Sequence, residues 1–296
     1  MSRGSLAAAA GQRVLLSDCA MGTSLQRAGL EPGSCGELWC IEQGDVVAAI
    51  HRASIAAGSD LITTNSFNGS ALALERWGLA KRAAEINRAA AALARAAAGP
   101  DRWVLGDMGP FGGFLEPLGE YREADVSAAF LAQAEALLEG GADGIIIETM
   151  SAADELRLAV RAARLAGADV VIATATYEPG KLGLRTMMGA SPADMAAAAL
   201  NEGAIGVGAN CGTRLTMADY VELVRQLRAA APDALVIVQP NAGTPRLEGA
   251  DVVYGAEPAE FAAAAPALLA AGAHILGGCC GTTPAHIAAL AQVVRA

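Results

Sequence analysis

The sequence predicts an α/β protein of the (β/α)8 TIM-barrel class, built as one domain. Three observations lead there. Eight short, continuously apolar runs alternate with long Ala/Leu-rich stretches suited to helices. Helix ends repeat a small phrase, as in Ala-Ala-Gly58-Ser-Asp60, Gly-Gly141-Ala-Asp143, Leu-Ala-Gly167-Ala-Asp169, Asn-Glu-Gly203-Ala and Ala-Ala-Gly272-Ala. Glycine there caps a helix and a short turn feeds the next strand. No Gly-x-Gly-x-x-Gly follows the first apolar run, which weakens a dinucleotide-binding sheet.

In chain order, residues 1–12 read as a loose lead. Arg3 and the alanines to Ala10 are too short an apolar stretch for a signal peptide, and Gln12 and Arg13 interrupt it. The barrel is expected over 13–296. Strands are expected at 14–18, 61–65, 103–107, 144–148, 170–174, 205–210, 235–239 and 273–277. Helices are expected at 45–57, 80–97, 124–139, 152–165, 191–201, 217–230, 258–271 and 284–295. Continuous apolar strands are buried on both faces, as parallel barrel strands are. Extra material lies in 27–44 and in 110–123, the latter rich in Gly and Pro.

Composition narrows the function. The formal net charge is −10, so nucleic acid and anionic membranes are poor partners. The longest apolar run, 261–273, is too short to cross a bilayer, and a cytoplasmic protein is expected. Its six cysteines should then be reduced.

In a barrel of this class the chemistry sits at the C-terminal strand ends. Those ends supply Asp18, Asn65, Asp107, Glu148, Thr174, Asn210 with Cys211, Gln239 with Asn241, and the pair Cys279–Cys280. The pair lies in Gly277-Gly278-Cys279-Cys280-Gly281-Thr282-Thr283-Pro284. Thr283 and Pro284 start a helix whose N-terminus favours thiolate over thiol. Three thiolates from Cys211, Cys279 and Cys280 would make an open, catalytic zinc site rather than a closed structural one. Such a site suits holding a substrate thiol as a nucleophile. Asp18 and Glu148 could receive an ammonium of the same molecule, which describes a pocket for a small amino acid thiol. Simpler readings stand beside this: cysteines in an apolar chain are often buried hydrophobes, above all Cys19, Cys35 and Cys40. Asp18 could cap a turn, and Asp107 could satisfy loop amides. His51, His274 and His286 read as structural.

At these residues the chain resembles the homocysteine S-methyltransferase family, which includes the homocysteine-binding domain of cobalamin-dependent methionine synthase and betaine–homocysteine methyltransferase. The resemblance rests on Leu16-Ser-Asp18-Cys-Ala-Met-Gly22-Thr, Ile62-Thr-Thr-Asn65-Ser-Phe, Gly106-Asp107-Met-Gly-Pro110, Ile147-Glu148-Thr, Gly208-Ala-Asn210-Cys211-Gly, Gln239-Pro-Asn241-Ala-Gly and the cysteine-pair motif. It implies Zn2+ on Cys211, Cys279 and Cys280, the homocysteine amino group on Asp18 and Glu148 near the Gly22 backbone, and methionine as product. Asn65, Asp107 and Asn241 are the further expected substrate contacts. The methyl donor would be a methylcorrinoid protein, S-methylmethionine, S-adenosylmethionine or betaine. A homo-oligomer or a separate corrinoid-protein partner is compatible, since no folate or cobalamin domain is expected after the last helix. Another thiol acceptor, demethylation toward a corrinoid or folate carrier, and a noncatalytic zinc-binding subunit are the alternatives. One departure stands out: Cys19 occupies a position where the family carries glycine, and so either crowds the pocket or adds a thiol.

Overall fold

The computed structural model describes residues 4–248 and 251–296. Its central sheet has eight parallel strands: β1 Leu15–Leu16, β2 Leu61–Thr63, β3 Trp103–Met108, β4 Gly144–Met150, β5 Val171–Ala175, β6 Gly206–Asn210, β7 Leu235–Gln239 and β8 Ile275–Leu276. They pair in the order β1-β8-β7-β6-β5-β4-β3-β2. The ring closes between β1 and β2, where the Asp60 amide donates to the Leu16 carbonyl at 2.7 Å. The expected barrel is present, with every strand where the apolar runs placed it.

The connections carry the differences. The helix expected over 258–271 is two, Pro258–Ala263 and Ala265–Ala271. Pro266 has no amide to donate and restricts its predecessor, so a second helix starts there. The helix expected from residue 80 begins as a 3-10 turn, Ala80–Arg82, before Ala83–Ala98. Two hairpins were not anticipated: Glu178–Gly180 with Gly183–Arg185, and Arg246–Glu248 with Asp251–Val253. Among the described residues, no helix is long and apolar enough to cross a membrane.

The expected loose lead is corrected for all but its first residues. Met1–Arg3 lie outside the described residues, but Leu6–Gln12 is a helix. The Ser5 hydroxyl caps it by accepting from the Ala8 amide at 3.2 Å. Leu6 and Ala10 are buried with Leu15, Leu61, Trp103, Leu105, Ile146, Ile172, Ile237 and Ile275, which fill the barrel. Burying Leu6 contributes roughly 2 kcal/mol. A seven-residue helix is unstable alone and forms because the barrel receives its apolar side.

The repeated helix-ending phrase has a structural basis. Gly58, Gly141, Gly167, Gly203 and Gly272 all have positive φ, the left-handed cap that side chains resist. Two of the following aspartates pin the preceding strand. Asp60 Oδ2 accepts from the Leu16 amide at 2.9 Å, and Asp143 Oδ2 from the Val104 amide at 2.8 Å. Asp60 also pairs with Arg13 at 3.0 Å and Arg295 at 3.4 Å, tying a residue just before β1 and the residue after the last helix to one carboxylate.

Candidate active site

The strand ends open into a cavity of about 860 Å³. Asp18, Thr63, Asp107, Glu148, Asn210, Cys211, Gln239, Cys279 and Cys280 form its inner end. Its outer wall comes from the loop after β1, including Met21, Leu25 and Leu30, and from Phe67, Arg76 and Trp77 after β2.

The three expected thiols meet. The Cys211, Cys279 and Cys280 sulfurs all lie within 4.8 Å of one another, with Cys211–Cys280 at 4.0 Å and Cys279–Cys280 at 3.9 Å. Tetrahedral zinc with bonds near 2.3 Å would hold sulfurs about 3.8 Å apart, so the trio fits such an ion. The Cys279 and Cys280 thiols hydrogen-bond to the Cys211 sulfur and hold its pKa down to about 3. The same bonds push Cys280 up to about 11 and Cys279 well above the usual thiol range. The three sulfurs thus compete for protons, and a cation would favour all three as thiolates.

Backbone geometry explains why the sulfurs converge. Cys211 has φ 57, left-handed for a non-glycine residue. Tyr220 donates its hydroxyl to the Cys211 carbonyl, and Asn241 Nδ2 donates to the Gly212 carbonyl at 2.7 Å. The Cys279 amide donates to the Pro240 carbonyl at 2.8 Å, and the Gly278 amide to the Asp18 carbonyl at 3.0 Å. Buried Thr282 accepts from the Ala20 amide at 3.0 Å and donates to the Cys279 carbonyl at 2.7 Å. A side chain at Gly278 would meet Thr282 at 2.4 Å, so this turn requires glycine. Helix Pro284–Val294 follows, capped by His286, whose Nδ1 accepts from the Thr283 amide at 3.1 Å. The other ring nitrogen of His286 bonds the Ala256 carbonyl at 2.9 Å.

Carboxylates face the sulfurs. Asp18 Oδ2 accepts from the Thr63 amide at 2.8 Å and Oδ1 from the Ser17 hydroxyl at 3.0 Å. Burial still raises its pKa to about 6. Glu148 is pushed up to about 7, first by burial and then by Asp18 and Cys211, against a hydrogen bond from Gln239. Asp107 lies well above the carboxylate range, through burial and then Glu148. Asp107 Oδ1 and Glu148 Oε1 are buried and have no hydrogen-bond partner. Buried acceptors left unpaired are costly, and a carboxylate has only acceptors to offer. Among the described lining residues the one cationic side chain is Arg76, whose guanidinium sits 3.8 Å over the Trp77 ring. A positively charged donor entering the inner cavity would offset the burial that raises these carboxyls and would pair their free oxygens.

Other expected site residues land differently. Gly22 lines the cavity in helix Met21–Arg27. Asn65 lines it too, but its amide donates to the Gly36 carbonyl at 2.8 Å and holds the loop after β1. Asn241 is not on the lining and buttresses the Cys211 turn. Cys19, Cys35 and Cys40 are buried. The Cys19 sulfur lies 3.2 Å from the Ser54 hydroxyl, burial raises its pKa to about 11, and it does not join the three clustered sulfurs as a fourth. Glu37 was missed. It lines the cavity and accepts from the Asn68 amide and Nδ2, both at 2.8 Å. It lies in an insertion, away from any strand end, where no pattern marked it.

Comparison with known proteins gives a consistent picture. A family described as homocysteine S-methyltransferase matches residues 15–294. Methionine synthase of Mycobacterium tuberculosis is 37% identical over 304 residues, covering 96% of this chain and 25% of that protein. Methionine synthase of Mycobacterium leprae is 36% identical, covering 96% and 24%. The chain thus spans about a quarter of the length of these curated relatives. Among solved structures, the metallated homocysteine methyltransferase MmuM of Escherichia coli matches with a TM-score of 0.79 at 22% identity, covering 97% of this chain and 99% of that one. A carboxyl transferase domain of Rhizobium etli pyruvate carboxylase matches at 0.54 and 15% identity, covering 95% and 46%. At these identities the structural likeness is one of fold.

Proposed function

This chain belongs to the homocysteine S-methyltransferase family, and from that premise we propose that it moves a methyl group onto the thiol of homocysteine, forming methionine, at a zinc site of Cys211, Cys279 and Cys280. The observation that carries the reading is the pairing of a three-sulfur cluster with unpartnered buried carboxylate oxygens in one cavity. One end accepts a sulfur and the other an ammonium, as an amino acid thiol requires.

Zinc held there would bind the substrate sulfur as a thiolate and lower its proton affinity. The residues of the chain supply the rest. Asp18 and Glu148 take the ammonium, whose charge settles carboxylates that burial alone disfavours. Asp107 offers the next free acceptor, and Asp18 is kept in place by Thr63 and Ser17. The wall formed by Met21, Leu25 and Leu30 limits water at the reacting sulfur. Fixing both ends of the substrate aims that sulfur at the donor and removes most of the orientational cost. The substrate thiol gives its proton to solvent on binding. Its sulfur lone pair then forms the bond to the methyl carbon, and the donor leaves with the electrons of its broken bond. The donor is a methylcorrinoid protein, S-methylmethionine or S-adenosylmethionine, or betaine. A cytoplasmic setting would keep these thiols reduced and able to hold a metal.

The test is turnover of homocysteine with each donor class, with zinc measured on the same sample. Cys279→Ala should lose zinc and methionine formation together. Full activity in zinc-free Cys279→Ala protein would overturn the assignment.

A further inference from the structure

Asn210 ends β6 one residue before Cys211, is 1% exposed and lines the inner cavity. Its side chain is fully used. Oδ1 accepts from the Thr149 amide at 2.9 Å and the Thr174 hydroxyl at 2.6 Å. Nδ2 donates to the Thr149 hydroxyl at 2.7 Å and reaches the Cys279 sulfur at 3.9 Å. One amide therefore joins the ends of β4, β5 and β6 and touches the sulfur cluster.

Two residues beside it are unusual: one it binds, the other follows it in the chain. Thr149 has φ 62 and Cys211 has φ 57; among the described residues these are the two non-glycine positions with positive φ. Such conformations persist only where the surroundings impose them. Thr149 directly follows Glu148, and Cys211 directly follows Asn210. The Asn210 side chain holds the backbone next to the carboxylate and reaches the Cys279 sulfur, while its own backbone leads directly into Cys211, whose turn Tyr220 and Asn241 secure.

We propose that Asn210 is a positioning residue that fixes the span between Glu148 and the Cys211–Cys279 sulfurs, and so selects the chain length of the thiol acceptor; this rests on the homocysteine reading. Homocysteine and cysteine differ by one methylene, about one carbon–carbon bond of 1.5 Å. A pocket contact alone discriminates a methylene by roughly 10–200-fold. A two-point grip does so only if its anchors cannot drift. Without the Asn210 amide the Thr149 N–H loses its acceptor and the Thr174 hydroxyl keeps only its 3.4 Å bond to the Ile147 carbonyl, so Thr149 can leave the left-handed region, and Glu148 moves with it. The three thiols stay, so zinc binding survives while length discrimination fails.

The experiment uses the zinc-loaded full chain. L-Homocysteine and L-cysteine are titrated calorimetrically into wild type, Asn210→Ala and Thr174→Val, with zinc content measured on each. Thr174→Val removes one hydrogen bond to Oδ1, together with a long 3.4 Å bond to the Ile147 carbonyl, and leaves Asn210 itself in place, so it decides the matter if Asn210→Ala does not fold. The expected result is zinc content equal to wild type, a homocysteine-to-cysteine affinity ratio reduced about tenfold in Asn210→Ala, and a smaller reduction, about threefold, in Thr174→Val. Equal weakening of both thiols, or zinc loss that parallels the loss of binding, would overturn the proposal and leave the homocysteine reading standing. A wild-type protein that binds neither thiol would remove that reading, and this proposal with it.

Discussion

Replacing Glu148 by glutamine tests the ammonium end of the site most directly. The substitution keeps shape and volume but exchanges one carboxylate oxygen for an NH2 group and removes the charge. In the protein Glu148 Oε1 has no partner, and burial raises the carboxyl to about 7. An arriving ammonium supplies both the missing donor and the compensating charge. A hydrogen bond to a charged group contributes about 1.5–3 kcal/mol, and 1.4 kcal/mol is tenfold in affinity. Glu148→Gln should therefore weaken homocysteine binding roughly 10–150-fold. Asp18 remains to hold part of the charge, which favours the lower half of that range. Zinc content should not change, because Glu148 is not among the clustered sulfur donors. The assay is calorimetric titration of the zinc-loaded protein with homocysteine and, in parallel, with 4-mercaptobutanoate, which lacks the amino group. The substitution should weaken the amino acid and spare the deaminated thiol, a double-difference that isolates the ammonium contact. Equal effects on both ligands, or a homocysteine affinity within twofold of wild type, would refute the assignment of Glu148.

Two further predictions concern the scaffold. Asp60→Ala removes the acceptor for the Leu16 amide and the partner of Arg13 and Arg295; the arginines can turn to water, so the loss is about 2–3 kcal/mol, read as a fall in Tm with zinc content unchanged, and a loss under 1 kcal/mol would show that this carboxylate does not hold the β1–β2 closure. Glu155, buried and accepting from the Phe111 amide at 2.7 Å, is raised from 4.5 to about 7 by burial; a raised folded-state pKa stabilises fully below about 4.5 and loses that contribution as pH rises through about 7, so Glu155→Gln should gain up to about 3 kcal/mol relative to wild type between pH 5 and pH 8, and parallel Tm–pH curves would contradict this.

What could be read from the sequence follows from which residues answer to local rules. The eight strands were legible because each is buried on both faces and must be apolar throughout. The thiols were legible because two adjacent cysteines after an apolar run sit at a strand tip, and a third ends another strand. The helix Leu6–Gln12 was not, since seven residues of mostly alanine form a helix only against the barrel floor, a long-range fact. Glu37 was not, because an insertion has no period to mark the residue that turns inward. The strand-end rule also told which residues reach the mouth without telling which way they face. Asn65 and Glu148 both end strands expected from the sequence and both line the cavity. Asn65 has donors, and a nearby carbonyl of the loop after β1 takes one of them. Glu148 has acceptors alone, and the fold brings the buried Oε1 no donor. Function concentrates where the fold leaves a group unsatisfied, and that depends on the neighbours that folding brings rather than on the residue itself. The same reasoning places Asn210 among the supports: every polar atom of its amide is already engaged, so it serves the site by holding others in position.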